Sequence, residues 1–183
     1  MTLAPETVVR ALAEIGESVR RAGVRKLVFA NGHGGNVAAL DMVALDLRER
    51  LGMLAVPSSF GRFGYPDGLF APEEIAHGIH GGDVETSLML AARPGLVRTD
   101  LAKNFVPAST AMAREFKQLR AGEPAGFAWM SQDLNPSGAI GDATLATAAK
   151  GETALAHGAR AFVELLEDVS RFDRTRLRKG PLD

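Results

Sequence analysis

The chain contains no cysteine. Disulfides, thiolate metal sites and cysteine nucleophiles are therefore excluded, and any transition-metal ligand must be His, Asp or Glu. It also has no excess of charge: 21 basic and 22 acidic residues give a formal net charge of -1. That balance offers no electrostatic case for nucleic acid or an anionic membrane surface as partner. No apolar run approaches the roughly 20 residues needed to span a bilayer. The start, Met1-Thr2-Leu3-Ala4-Pro5, lacks the basic and apolar regions of a signal peptide, so the expected compartment is the cytoplasm. Four motifs are missing as well. There is no GxSxG nucleophile elbow, no HExxH helix, and no GxxxxGK[ST] or GxGxxG phosphate loop. These absences count against serine hydrolases, zincins and nucleotide-binding loops.

What is present suits one α/β domain. The 183 residues are 46% hydrophobic and 23% charged, enough for a sizeable core. The expectation is a single domain over 1–170 with a charged, frayed tail from Arg171 to Asp183. Pro5 and Glu6 open a helix to about Ala22, with Val8, Leu12, Ile15 and Val19 at helical spacing and Gly23 as its cap. A strand follows over Lys26–Ala30. A second helix runs from about Val37 to Arg50, with Leu40, Val43, Leu47 and Leu51 on its apolar face. A strand over Met53–Val56 comes next. This order predicts parallel strands with helices packed on the sheet. Ser58–Pro72, carrying Phe60, Phe63, Tyr65 and Phe70, reads as a loop and candidate site wall. A third helix is expected over Val84–Ala92, irregular chain over Gly95–Gly141, and a long helix over Leu145–Ser170. On that helix Leu155, Phe162, Val163, Leu165 and Leu166 are the expected core positions.

Two segments carry the chemistry. Asn31-Gly32-His33-Gly34-Gly35-Asn36 follows the apolar run Leu27-Val28-Phe29-Ala30 and precedes the second helix. In open α/β sheets that carboxyl end of a strand is where ligands bind. Its glycines remove bulk, so a metal, water or substrate can come close. As a metal ligand the His33 imidazole suits Zn, Mn or Fe. The competing reading is a loop histidine within Gly-rich turn chemistry. The second segment, His80-Gly81-Gly82-Asp83-Val84-Glu85-Thr86-Ser87, offers His80 as a proton shuttle and Glu85 as a metal ligand or water-positioning group. Its competing reading is a surface histidine and an acidic residue favoured by a helix N-terminus. His77 reads as a solvated helix residue, His157 as having no role, and Trp129 stays open between core and site wall.

These segments resemble the creatininase, or creatinine amidohydrolase, family. The resemblance rests on the Asn-Gly-His-Gly-Gly-Asn loop, the His-x-Gly-x-x-Glu-Thr-Ser segment, and Ser137-Gly138-Ala139-Ile140-Gly141-Asp142-Ala143-Thr144 with Ala146 and Lys150-Gly151-Glu152. It covers about residues 1 to 165. It implies a three-layer α/β/α fold with a mostly parallel sheet. It implies a two-metal site, holding Zn, Mn or Fe, that activates water to cleave a C–N bond in an amide, formamide or cyclic amide. Homo-oligomers, often hexamers, and a small-molecule amide substrate are further implications. On this resemblance His33 matches a metal ligand, His80 the catalytic proton-shuttling histidine, and Glu85 the glutamate of the Glu-Thr-Ser motif, with a metal or supporting role. Gly34, Gly35, Asn36, Gly81 and Gly82 shape the substrate loops.

Two departures qualify the expectation. Creatininase proper carries Tyr-Glu where this chain has Gly34-Gly35, and that glutamate is a metal ligand. Creatinine itself is therefore not the expected substrate, and the Gly-Gly branch of formamidopyrimidine deformylases and mycofactocin-system peptidases fits better. Family members also carry an N-terminal Glu-x-His…Asp motif, and this chain has no histidine before His33. The expectation is thus an N-terminally truncated family domain. The alternative is a truncated or degenerate non-catalytic member acting in binding or assembly.

Overall fold

A computed structural model describes residues 3–180. They fall into two units, Met1–Gly64 with Gly158–Asp183, and Tyr65–His157.

The first unit is built on helix α1 (Pro5–Arg21), strand β1 (Lys26–Asn31), helix α2 (Val37–Leu51) and strand β2 (Leu54–Ser59). Pro5 stands at the start of α1, where its missing N–H has no helical acceptor to lose. Gly52 ends α2 in the left-handed region, at φ 61, and the N–H groups of Gly52 and Met53 donate to the carbonyls of Arg48 and Leu47. That reversal lets β2 run parallel to β1, in register from Lys26 opposite Leu54 to Asn31 opposite Ser59. The core is Val43, Leu47 and Met53, all fully buried. Val9, Leu12, Ala13, Val19, Leu27, Phe29, Leu51 and Ala55 pack against them.

Two expectations are corrected here. Ile15 is 56% exposed. The buried face of α1 is turned towards Val9, Leu12, Ala13, Gly16 and Val19, because Gly16 lets the helix approach Leu47. β2 extends to Ser59 rather than ending at Val56. Pro57, opposite Phe29, has no N–H to give, but among the described residues β2 pairs on one side only. The expected loop therefore begins later. Phe60 and Phe63 pack on Phe162, with ring centroids 5.5 and 6.3 Å away.

The second unit holds helix α3 (Pro72–His77), helix α4 (Asp83–Ala92), strand β3 (Asn104–Phe105), helix α5 (Ala108–Glu115), strands β4 (Leu119–Arg120) and β5 (Ala125–Gly126), helix α6 (Ser131–Leu134), strand β6 (Gly141–Asp142) and the start of helix α7 (Ala148–Arg171). β3 pairs antiparallel with β6 and β4 parallel with β5, two residues on each strand. The stretch over Gly95–Gly141 is as irregular as expected, apart from the short helices α5 and α6. Phe70, Leu134, Ile140, Ala143 and Ala154 are buried. Trp129 is half-buried, and its Nε1–H donates to the Ala121 carbonyl at 2.6 Å.

α7 is where hydrophobic spacing misleads most. Leu155, Val163 and Leu166 are exposed, and the buried stripe starts at Gly151, Ala154 and Gly158. A Cβ on Gly151 would run into the Ser87 carbonyl and come within 2.8 Å of the Ala91 Cβ. Close backbone approach, which only small residues permit, therefore sets the face of this helix. Of the expected frayed tail, Arg174–Arg176 forms a short helical turn capped by Asp173, which accepts from the Thr175 N–H at 2.9 Å. Pro181, Leu182 and Asp183 lie outside the described residues. No helix among the described residues is long and apolar enough to cross a membrane.

Gly16→Ala tests the α1–α2 contact. Alanine gains about 1 kcal/mol of helix propensity, but its Cβ falls on the methyls of the fully buried Leu47, and overpacking costs about 1–3 kcal/mol. The expected result in chemical denaturation is a net loss; a gain would show that Leu47 moves aside freely.

Candidate functional site

In the first unit the loop after β1 is organised by Asn31, which is 5% exposed. Its Nδ2–H donates to the His33 carbonyl at 2.8 Å and to Ser59 Oγ at 3.0 Å. Its Oδ1 accepts from the His33 N–H at 3.2 Å and from Asn36 Nδ2 at 3.3 Å. One buried amide thus closes a turn around His33 and ties it to the end of β2. His33 is extended, at φ -140 and ψ 122, and Gly34–Asn36 forms a short helical turn leading into α2. The His33 ring folds back over Gly35, where an added Cβ would meet Nε2 at 2.6 Å. Nothing lies near Gly34 in the same sense. His33, Gly34, Gly35 and Asn36 are exposed.

The second unit brings His80 and Glu85 together. Gly81, at φ 67, turns the chain so that its N–H donates to Glu85 Oε2 at 2.8 Å, and Thr86 Oγ1 donates to the Gly81 carbonyl at 3.2 Å. The same Glu85 Oε2 lies 3.7 Å from His80 Nδ1, a contact rather than a hydrogen bond. On its other side His80 pairs with Ile140: its N–H donates to the Ile140 carbonyl at 3.1 Å, and its carbonyl accepts from the Ile140 N–H at 2.6 Å. The His80 and Glu85 side chains are more than half exposed. An imidazole beside a carboxylate can accept and return a proton while the carboxylate orients the ring.

Three charged side chains that sequence reasoning missed support this loop. Asp83, fully buried, pairs with Lys150 Nζ at 2.5 Å and accepts from Ser87 Oγ at 3.1 Å. Lys150 also donates to the Leu145 carbonyl and lies 5.7 Å over the Phe70 ring. Glu74, 7% exposed, reaches from α3 to the backbone of Val84 and Asp142. Asp83 and Lys150 stand in the quoted motifs, but spacing gives no sign that they pair across 67 positions. His77 is half-buried rather than solvated, with Nδ1 3.1 Å from Ser109 Oγ.

Tyr65 stacks edge-to-face on Phe70, centroids 5.0 Å apart. Burial first, then the negative charges of Glu85 and Glu74, push its phenol pKa upward. Phe70 is buried, and Tyr65 is half-buried against it.

A divalent metal needs several donors converging on one point. Among the described residues no group of three or more His, Asp or Glu side chains is placed to hold one. His33 stands in one unit, and His80 with Glu85 in the other. The described residues therefore do not by themselves fit a metal clamp.

Comparison with known proteins supplies the wider context. The family pattern described as Creatininase, creatinine amidohydrolase, matches residues 1–166. The mycofactocin precursor peptide peptidase of Mycobacterium ulcerans is 34% identical over 152 residues, covering 81% of this chain and 48% of the relative. A crystal structure of creatinine amidohydrolase (creatininase) superposes with a TM-score of 0.69 at 25% identity, covering 94% of this chain and 67% of that one. A mutant creatininase of the Zn-Zn type superposes with a TM-score of 0.66 at 27% identity, covering 92% and 65%. The chain spans about half the length of the curated relatives it matches.

Two measurements check this geometry. Gly35→Ala forces the His33 ring to move, so its ring NMR signals shift, whereas Gly34→Ala leaves them in place; equal responses would show that the ring is not seated over Gly35. Tyr65 is the chain's single tyrosine, so phenolate absorbance reports it alone. Its titration midpoint is expected above the ordinary 10.0. Because the folded-state pKa is the raised one, the associated stability is full below the unfolded-chain pKa and is lost as pH rises through the folded one. A midpoint at or below that of the denatured chain contradicts the burial described.

Proposed function

The chain belongs to the creatininase (creatinine amidohydrolase) family, and from that premise we propose that it carries the proton-transfer half of a site hydrolysing a C–N bond, with a peptide amide as the preferred substrate. The observation that carries this reading is the His80–Glu85 pair, held by the Gly81 turn. Support for a peptide comes from the relatives named as peptidases of a precursor peptide, and from Gly34-Gly35.

Glu85 faces Nδ1 of His80, which favours the tautomer with its proton on Nδ1 and leaves Nε2 as the working nitrogen. In this reading Nε2 takes a proton from the attacking water and delivers it to the leaving nitrogen as the C–N bond breaks. The products are a carboxylic acid and an amine. In this reading the 3.7 Å gap between Nδ1 and Oε2 is expected to close to hydrogen-bond distance when substrate displaces solvent. A divalent metal belongs to related structures, as the Zn-Zn type creatininase shows. His33 and Glu85 remain the proposed donors from this chain, but no step is derived through a metal that these residues alone do not hold.

The test is cleavage of a precursor-type peptide, followed by mass spectrometry. His80→Ala is expected to lower kcat by about 100- to 10,000-fold, and Glu85→Gln by a smaller factor. Wild-type turnover left intact in His80→Ala would overturn the assignment. No turnover by the wild-type chain on peptide, formamide or cyclic amide would favour the reading of a non-catalytic member that binds or assembles.

A further inference from the structure

Glu74 is buried, yet it takes part in none of the ion pairs found among the described residues. Its two oxygens are instead divided between two backbone donors. Oε1 accepts from the Val84 N–H at 3.2 Å and Oε2 from the Asp142 N–H at 3.2 Å. Removing a carboxylate from water without a cation is costly, so stability alone does not explain a glutamate here.

The surroundings are shaped to admit it. A Cβ at Gly82 would fall on Oε1, one at Gly78 would fall on the carboxylate, and one at Gly141 would lie 2.9 Å from Oε2. Three glycines from two segments thus border the space that one carboxylate fills. Gly78 and Gly82 bracket His80. Val84 precedes Glu85. Gly141 and Asp142 follow Ile140, whose backbone pairs with His80. We infer that Glu74 is the positioning residue of the His80–Glu85 pair: its carboxylate ties the start of α4, next to Glu85, to the strand that follows Ile140, the backbone partner of His80.

The chemistry demands a carboxylate. Both partners are N–H donors, and only a carboxylate offers an acceptor at each end of one flat group. Glutamine keeps the shape but turns an NH2 towards one donor. A role in positioning rests on the proposed function of His80, but the clamp itself is open to test without turnover.

The experiment uses the full chain in wild-type, Glu74→Gln, Glu74→Ala, Gly82→Ala and Glu74→Ala/Gly82→Ala forms. Amide hydrogen exchange over residues 79–85 is read first. Gly82→Ala is expected to speed exchange, because its methyl ejects the carboxylate; φ at Gly82 is -83, so the backbone itself accepts alanine. In the Glu74→Ala background the same change is expected to add little, since its clashing partner is gone. Equal effects of Gly82→Ala in both backgrounds overturn the clamp. Kinetics on the peptide come second. Glu74→Gln is expected to lower kcat roughly 10- to 100-fold while KM stays within about twofold. Unchanged kcat with intact wild-type turnover overturns the positioning role. A wild-type chain without turnover overturns the proposed function instead, while the exchange cycle still decides the clamp. Should Glu74→Gln not fold, Gly82→Ala displaces the same carboxylate and supplies the kinetic comparison.

Discussion

A buried charge must be paid for by the groups around it, and in the second unit that requirement falls on backbone rather than on side chains. The Glu74 carboxylate is held by the N–H groups of Val84 and Asp142. Val84 lies in the first turn of α4, where N–H groups have no carbonyl within the helix. The interaction therefore solves two problems together: an orphan donor gains an acceptor and a buried acceptor gains donors. Gly78 and Gly82 follow as a consequence, since a side chain at either would occupy the carboxylate's place, while Gly141, at φ 138, also brings its backbone close to that of Gly82. The turn at Gly81, the pairing of His80 with Ile140 and the approach of Glu85 to His80 all lie within this framework.

The two candidate loops, one in each unit, use different physics. The His33 loop depends on a neutral amide, Asn31, whose carbonyl and NH2 satisfy four contacts at the end of β1. The His80 loop depends on charge. Asp83 with Lys150 fixes the start of α4 against the start of α7, and Glu74 fixes the loop before it. A paired buried charge such as Asp83 is destabilising when its partner is removed, so these groups set a single geometry more than they add stability. Family structures carry metal, and the exposed imidazole of His33 over Gly35 is a suitable single donor. The described residues hold no convergent set around it.

Much of the first unit was legible in the sequence, because helical spacing in α2 and the strand-helix-strand order leave few alternatives. Leu40, Val43 and Leu47 are buried as their spacing requires. Legibility failed where glycine rather than a large apolar residue makes the contact. Gly16 turned the face of α1 away from Ile15, and Gly151 turned α7 away from Leu155, Val163 and Leu166. At the site, His33, His80 and Glu85 stood out as chemistry-bearing residues beside glycines. Glu74 did not, because its partners are the backbone of residues 10 and 68 positions away, and no local pattern marks a carboxylate that serves distant N–H groups.

Amide hydrogen exchange of the wild-type chain at Val84 tests the central claim most directly. An N–H in the first turn of a helix exchanges rapidly unless something outside the helix accepts from it. The account predicts marked protection at Val84, together with protection at Asp142. Exchange at the rate of an unprotected amide at Val84 would contradict it, since the Glu74 carboxylate would then not be seated in its glycine-walled cradle, and the His80–Glu85 loop would lack the anchor described.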